Sequence, residues 1–199
     1  MTITIRKAGL DDVRPLGAAL ARAFTEDPVM QWLVPAMRAR NHRLPRMFAM
    51  ELLYLYLPYD EVYTTRDLVG GALWAPPGGW RTPLGSLVRA LPRLVWTLRG
   101  HMPAAMRSVT AIERIHPQEA HWYLAVVGTE PSYQHQGIGS ALVAPVLERC
   151  DRDFIPAYLE SSREDNLEFY QRLGFEVTGT LDLPGDGPRV WPMWREPRP

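Results

Sequence analysis

Tyr133-Gln134-His135-Gln136-Gly137-Ile138-Gly139-Ser140-Ala141-Leu142 is a polar, glycine-bearing stretch directly behind the apolar run Trp122 to Val127. A strand, a loop of this kind and a helix in succession make an anion site. The helix start leaves backbone N–H groups without partners and carries the positive end of the helix dipole, so a phosphate gains hydrogen bonds and favourable charge together. Gly137 and Gly139 let the backbone take unusual dihedrals and meet a ligand at contact distance. Two alternatives fail on spacing. A dinucleotide fingerprint needs a third small residue where the chain has Leu142, and a Walker loop needs Gly-Lys-Ser/Thr, which is absent. The pattern that remains is Gln134-x-x-Gly137-x-Gly139.

A second group lies further on. Ile155-Pro156-Ala157-Tyr158-Leu159-Glu160-Ser161 reads as another strand, followed by Asn166-Leu167-Glu168-Phe169-Tyr170-Gln171-Arg172-Leu173-Gly174-Phe175. Asn166 and Tyr170 are four apart and share one helical face. A phenol there, with a reference pKa of ~10, is protonated at neutral pH and available as an acid. Taken in order and at this distance, the two motifs resemble the GNAT N-acetyltransferase superfamily. The resemblance implies an α/β (α+β) fold: a mixed central sheet, splayed at the cofactor strand and flanked by helices.

The resemblance also implies roles. Acetyl-CoA is the co-substrate, its pyrophosphate on Gln134, His135, Gln136, Gly137, Ile138, Gly139 and Ser140. Its pantetheine lies along the strand like an added strand, against Val127, Gly128 and Thr129. Asn166 and Tyr170 face the thioester, and Tyr170 protonates the leaving thiolate. The acceptor amine must lose a proton before attack, and Glu160 is the first choice of base, with Asp27, His116 and His121 as alternatives. Asp27, Trp32, Trp74 and His121 are assigned to the acceptor cleft, and no metal is required. The wider match, through Asp11-Asp12-Val13, Ala23-Phe24 and the tail Pro184 to Arg195, resembles the puromycin N-acetyltransferases, which inactivate an antibiotic by acylating its amine. Departures concentrate from Arg38 to Met106, so the implied acceptor is a small amine other than puromycin. A protein or peptide N-terminal acetyltransferase and a non-catalytic CoA-binding module are the other readings.

These residues must be positioned by a chain of 199 residues, 46% hydrophobic and 22% charged, which suits one domain over 1–199 with a sizeable core. Zero formal net charge gives no bulk attraction to nucleic acid or an anionic membrane. A single cysteine, Cys150, excludes an intrachain disulfide. With no leader and no long apolar run, the expected location is the cytoplasm. Thr2 to Arg6 alternates as a first strand, and Val13, Leu16, Leu20 and Phe24 form a helical stripe behind Asp11 or Asp12, ended by Asp27-Pro28. Ala39 to Leu57 reads as a helix, Asp60–Tyr63 and Leu68–Trp74 as a hairpin bulged at Gly70-Gly71. A helical insertion follows. Leu84, Leu87, Val88, Leu91, Leu94, Val95 and Leu98 keep helical spacing, with Pro92 expected to break or kink the helix, and Ala104 to Ile115 forms another. The insertion either shapes substrate choice or packs a core or homodimer contact. Gly128 is expected to bulge its strand, Pro145 to bend the helix Ile138 to Cys150, and Ser162 to cap the helix that Gly174 stops.

Overall fold

The computed structural model describes residues 3–81 and 84–198; Thr2 and the side chains of Leu84 and Leu87 lie outside the described set. The first half of the chain contains β1 (Ile5–Lys7), α1 (Val13–Ala23), α2 (Pro28–Leu33), α3 (Met37–Glu51), β2 (Val62–Thr65) and β3 (Gly70–Ala75). The insertion contributes α4 (Leu84–Leu98) and α5 (Met102–Ile115), and β4 (Trp122–Thr129), α6 (Ile138–Asp153), β5 (Ala157–Ser161) and α7 (Leu167–Arg172) follow. The chain closes with β6 (Glu176–Val177), β7 (Leu181–Asp182) and β8 (Arg189–Arg195).

The sheet runs β1-β2-β3-β4-β5-β8-β6, with β7 paired to β8 off that path. Among the described residues only β4 and β5 are parallel, and they pair solely at Trp122↔Ala157 and Tyr123↔Tyr158. From Leu124 to Thr129 the β4 backbone diverges from β5, so its amides on that edge are free for a ligand. The period of two sorts the side chains. Ala72, Trp74, Trp122, Leu124, Ala157 and Leu159 turn to α6 and its Leu142, Val146 and Cys150. Leu73 and Val126 turn the other way, onto Leu16 and Leu20 of α1 and Leu44 and Phe48 of α3. The apolar stripes of α1 and α6 are buried on opposite faces, as their helical spacing requires.

Several local expectations are corrected. The bulge falls neither at Gly128 nor at Gly70-Gly71: Gly71 pairs with Gly128, and the register slips where Leu73 meets Val126 and Trp74 meets Leu124. Ala125 is therefore the extra residue, and it is what brings Val127 onto the same face as Leu124. The glycines serve close approach instead. A Cβ on Gly128 would stand 2.8 Å from the ring of Phe24, which caps the end of α1, and one on Gly70 would stand 2.7 Å from the Gly128 carbonyl oxygen. Pro92 does not break α4, which runs unbroken from Leu84 to Leu98. Pro92 and Val88 are both solvent-exposed, so the Val88 carbonyl that loses its helical partner lies on the solvent side of the helix, where water can replace that partner. α1 stops at Ala23, and Asp27 starts the next helix, its Oδ1 accepting the Met30 N–H at 3.0 Å. The helix expected up to Leu57 is α-helical only to Glu51 and continues as a π-helical turn, Leu52–Tyr56.

Candidate active site

Where β4 leaves β5, a cleft of 750 Å³ opens between the end of α1, the start of α6 and α7. Val127, Gly128 and Thr129 line it from β4; Gln134, His135, Gly137, Ile138, Gly139 and Ser140 line it from the loop; Asn166 and Tyr170 line it from the far wall. Gln136 points instead into a neighbouring 610 Å³ depression with Ile3 and Thr65. The loop has the geometry an anion needs. His135 and Gly137 both have positive φ, 60° and 80°, and Gly137 is the N-cap of α6, so the first N–H groups of that long helix open to the cleft. Gln134 secures the approach by donating its side-chain N–H to the Thr129 carbonyl at 3.1 Å. A Cβ on Gly139 would stand 3.3 Å from the tip of the Phe169 ring, so α6 and α7 approach closely at this glycine. Arg163 and Arg172 also line the cleft, each paired with a carboxylate of the same wall, Asp165 at 3.2 Å and Glu168 at 2.7 Å.

The inner end of the cleft holds Tyr170 and Asp27, which are 8% and 4% exposed. Tyr170 packs edge-on to Phe169 and Phe175, and the Gly174 that ends its helix has φ 96°. Burial pushes the Tyr170 phenol above its ordinary range, and the neighbouring Asp27 carboxylate pushes the same way. Burial also raises Asp27, against the hydrogen bond from the Ser162 hydroxyl. Ser162 is thus not a cap for the Tyr170 helix. That helix is entered through a tight turn, Glu164–Asn166, while Ser162 ties the end of β5 to the start of α2.

Glu160 lies on the opposite face of the sheet from Tyr170, beyond the last β4–β5 pair. Its carboxylate is 7% exposed; Oε2 accepts the Tyr123 hydroxyl at 2.8 Å, while Oε1 is buried with no hydrogen-bond partner. His116 Nδ1 stands 3.4 Å from Oε1, and His116 Nε2 stands 3.0 Å from His121 Nε2. Trp80 stacks on His116 at 3.9 Å, and Tyr158 meets it edge-on at 4.7 Å. Both ends of the insertion therefore reach this cluster, since Trp80 precedes α4 and His116 directly follows α5. Beyond it the π-helical turn presents Tyr56, whose phenol is raised by burial and then by the charges of Glu51 and Glu160. Burial pushes Glu51 up to about 7.

The family match spans this whole arrangement: residues 18–175 match the acetyltransferase (GNAT) family. The chain belongs to that family. GNAT enzymes move an acetyl group from acetyl-CoA, and the splayed strand with the glycine loop at a helix start is the part of this fold that faces the cleft. An uncharacterised N-acetyltransferase of Schizosaccharomyces pombe is 28% identical over 192 residues, covering 90% of this chain and 76% of that protein. Among solved structures, one from Corynebacterium glutamicum described as histone acetyltransferase HPA2 and related acetyltransferase is 28% identical, with a TM-score of 0.75 over 100% of this chain and 98% of that one. A PaiA N-acetyltransferase from Thermoplasma acidophilum, solved in complex with coenzyme A, shares the fold at 15% identity, with a TM-score of 0.56 over 98% and 99% of the two chains.

Within this GNAT fold the acceptor assignments divide. Asp27 reaches the cleft and His121 joins the Glu160 cluster. Trp74 is corrected: it is fully buried under α6, because alternation along β3 sends it to the side away from Glu160. Trp32 packs near Gly187 in the turn before β8, where a Cβ would stand 3.1 Å from its ring. Sequence reasoning missed Trp80, Tyr123, Tyr158, Tyr56 and Glu51. For Tyr158 a signal existed, since it lies two residues from Glu160 on one strand and shares its face. Among the described residues no helix is long and apolar enough to cross a membrane, and no three His, Cys, Asp or Glu side chains converge as metal ligands.

Proposed function

We propose that the chain acetylates the amine of a small molecule by direct attack on acetyl-CoA in a ternary complex, with Glu160 taking the amine proton and Tyr170 protonating the leaving sulfur. One observation carries this reading: a buried carboxylate with an unpartnered oxygen and a buried phenol lie on opposite faces of the same strand divergence. The thioester threaded through the divergence has its base on one side and its acid on the other. Acidic and aromatic walls, Glu160, Glu51, Trp80, Tyr123 and Tyr158, suit a cationic amine.

Glu160 removes a proton from the ammonium group, and the freed lone pair attacks the acetyl carbonyl. A backbone N–H of β4 holds the oxyanion. The C–S bond then breaks as sulfur takes the Tyr170 proton, and one of the two protons on the attached nitrogen restores the phenol while the other stays on the amide. Reference pKa values do not drive that step. A phenol near ~10 donates uphill to a thiolate near ~8.5, and burial raises Tyr170 further. The transfer therefore runs only in concert with C–S cleavage and loss of the proton from nitrogen, and until then Tyr170 stabilises the sulfur by a hydrogen bond.

Thiol release from acetyl-CoA across a panel of small amines and a panel of short peptides tests the reading; turnover confined to peptides overturns it. Gly137→Val forces a β-branched residue to positive φ and remodels the anion loop. Coenzyme A affinity is expected to fall by about tenfold or more, a loss of ~1.4 kcal/mol, in a variant whose circular dichroism matches the parent. Unchanged affinity would remove the phosphate-loop assignment. Trp80→Ala removes a wall of the Glu160 cluster at a distance from the cofactor cleft. The acceptor KM is expected to rise about fivefold to tenfold, the ~1 kcal/mol of one aromatic contact, while the acetyl-CoA KM stays within twofold.

A further inference from the structure

The hydrogen-bond chain around Glu160 fixes where protons sit. His121 Nδ1 lies 2.6 Å from the Glu119 carbonyl oxygen, which only accepts, so Nδ1 carries the hydrogen. Burial lowers the His121 pKa against the Glu119 hydrogen bond, so the ring is neutral and its Nε2 is a bare lone pair. His116 Nε2, 3.0 Å away, must then be the donor. In its neutral form His116 keeps a bare Nδ1, which faces Oε1 of Glu160 at 3.4 Å. Two acceptors confront each other with no hydrogen between them. A proton placed between them relieves the lone-pair repulsion and satisfies a buried oxygen at once.

On the reading that Glu160 is the base, we propose that His116 is its partner in proton uptake: the proton removed from the ammonium group is held between Glu160 Oε1 and His116 Nδ1, and His121 locks His116 in the tautomer that keeps Nδ1 free. The N–H bond of the ammonium breaks, the proton bridges the pair, and it returns to solvent once the product has left. The surroundings favour the bridge. Tyr123 faces the pair from β4 and Tyr158 from β5, Trp80 covers the imidazole, and the π-helical turn brings Tyr56, with Glu51 and Tyr59 behind it. The phenols stay neutral, raised chiefly by burial, and the Glu51 carboxyl adds negative charge when ionised.

His116→Gln tests this directly, because a glutamine amide can still donate to His121 Nε2 and places no atom at Nδ1. At neutral pH the acceptor kcat/KM is expected to fall about tenfold, the low end for acid–base groups since Glu160 remains. The acid limb of its pH profile should move to lower pH, and the acetyl-CoA KM should stay within twofold. Nitrogen-15 spectra of the ligand-free parent provide a readout independent of turnover. They should show His121 protonated at Nδ1 and His116 at Nε2, with His116 Nδ1 gaining its proton in a step that moves to lower pH in Glu160→Gln. A His116 ring bare at Nε2, or a titration that Glu160→Gln leaves in place, overturns the shared proton. The two readings separate cleanly. Glu160→Gln losing less than about tenfold in kcat removes the base itself; a loss of about a hundredfold there, with the parent pH profile intact in His116→Gln, removes only the sharing.

Discussion

Tyr170→Phe is expected to turn over about a hundredfold more slowly than the parent, with acetyl-CoA affinity nearly unchanged. The substitution deletes one hydroxyl and keeps the ring that packs on Phe169 and Phe175, so folding should hardly respond. General acid catalysis contributes on the order of a hundredfold to ten-thousandfold, and the lower end applies here for two reasons. A water in the cleft can stand in for the phenol. The raised pKa of Tyr170 also means that much of its contribution is a hydrogen bond to the developing thiolate rather than full transfer. The loss should shrink for thioesters whose leaving thiol is more acidic, since such a thiolate needs less help. The check is single-turnover thiol release, in which chemistry is isolated from product release. A Tyr170→Phe rate within about twofold of the parent would place the residue in the core alone.

How far the sequence could be read depended on the kind of constraint. The cleft at the strand divergence was legible because its parts are local: Gly137 and Gly139 at a helix start, Asn166 and Tyr170 one turn apart, and Gly174 at a helix end each express a backbone requirement within a few residues. Local signals misled where packing decided. Pro92 would break an isolated helix, but here its lost hydrogen bond falls on the solvent side, and the buried face carrying Ala90, Thr97 and Leu98 holds α4 together. Gly70, Gly71 and Gly128 read as weak points of strands, yet they are where strands and α1 approach too closely for a Cβ, and the bulge moved to Ala125, which carries no sequence mark. The Glu160 cluster was the least legible. Glu51, Trp80, His116, Tyr123 and Glu160 come from separate elements, and only the fold shows that Trp80 at the start of the insertion stacks on His116 at its end, beside Glu160.

Asp151→Ala should destabilise the fold by about 3 kcal/mol, the low end of what removing one partner of a buried ion pair costs. Asp151 near the end of α6 receives both Arg195 guanidinium nitrogens, at 2.7 and 2.8 Å, and the Arg198 N–H at 2.7 Å. The arginine side chain is 3% exposed and the carboxylate 29%, so deletion leaves the more buried charge behind with only the Leu173 carbonyl at 2.9 Å. The cost is set by that stranded guanidinium, not by the attraction of an exposed pair. For a chain of this size the midpoint of thermal unfolding should fall by about 6–12 °C, roughly 2–4 °C per kcal/mol. The pH dependence has a definite sign. Hydrogen bonds from Arg195 lower the Asp151 pKa, with the Arg198 N–H and the arginine charges acting the same way against burial. Its contribution is therefore complete above the unfolded carboxylate value of ~3.9 and is lost as pH falls through the lower folded value. The gap in unfolding midpoint between parent and Asp151→Ala should be constant from neutral pH to about 5 and close only in stronger acid. A gap under about 1 °C at neutral pH, or one that closes already between pH 7 and 5, would show that the bridge joining α6 to β8 and the end of α7 carries no stability.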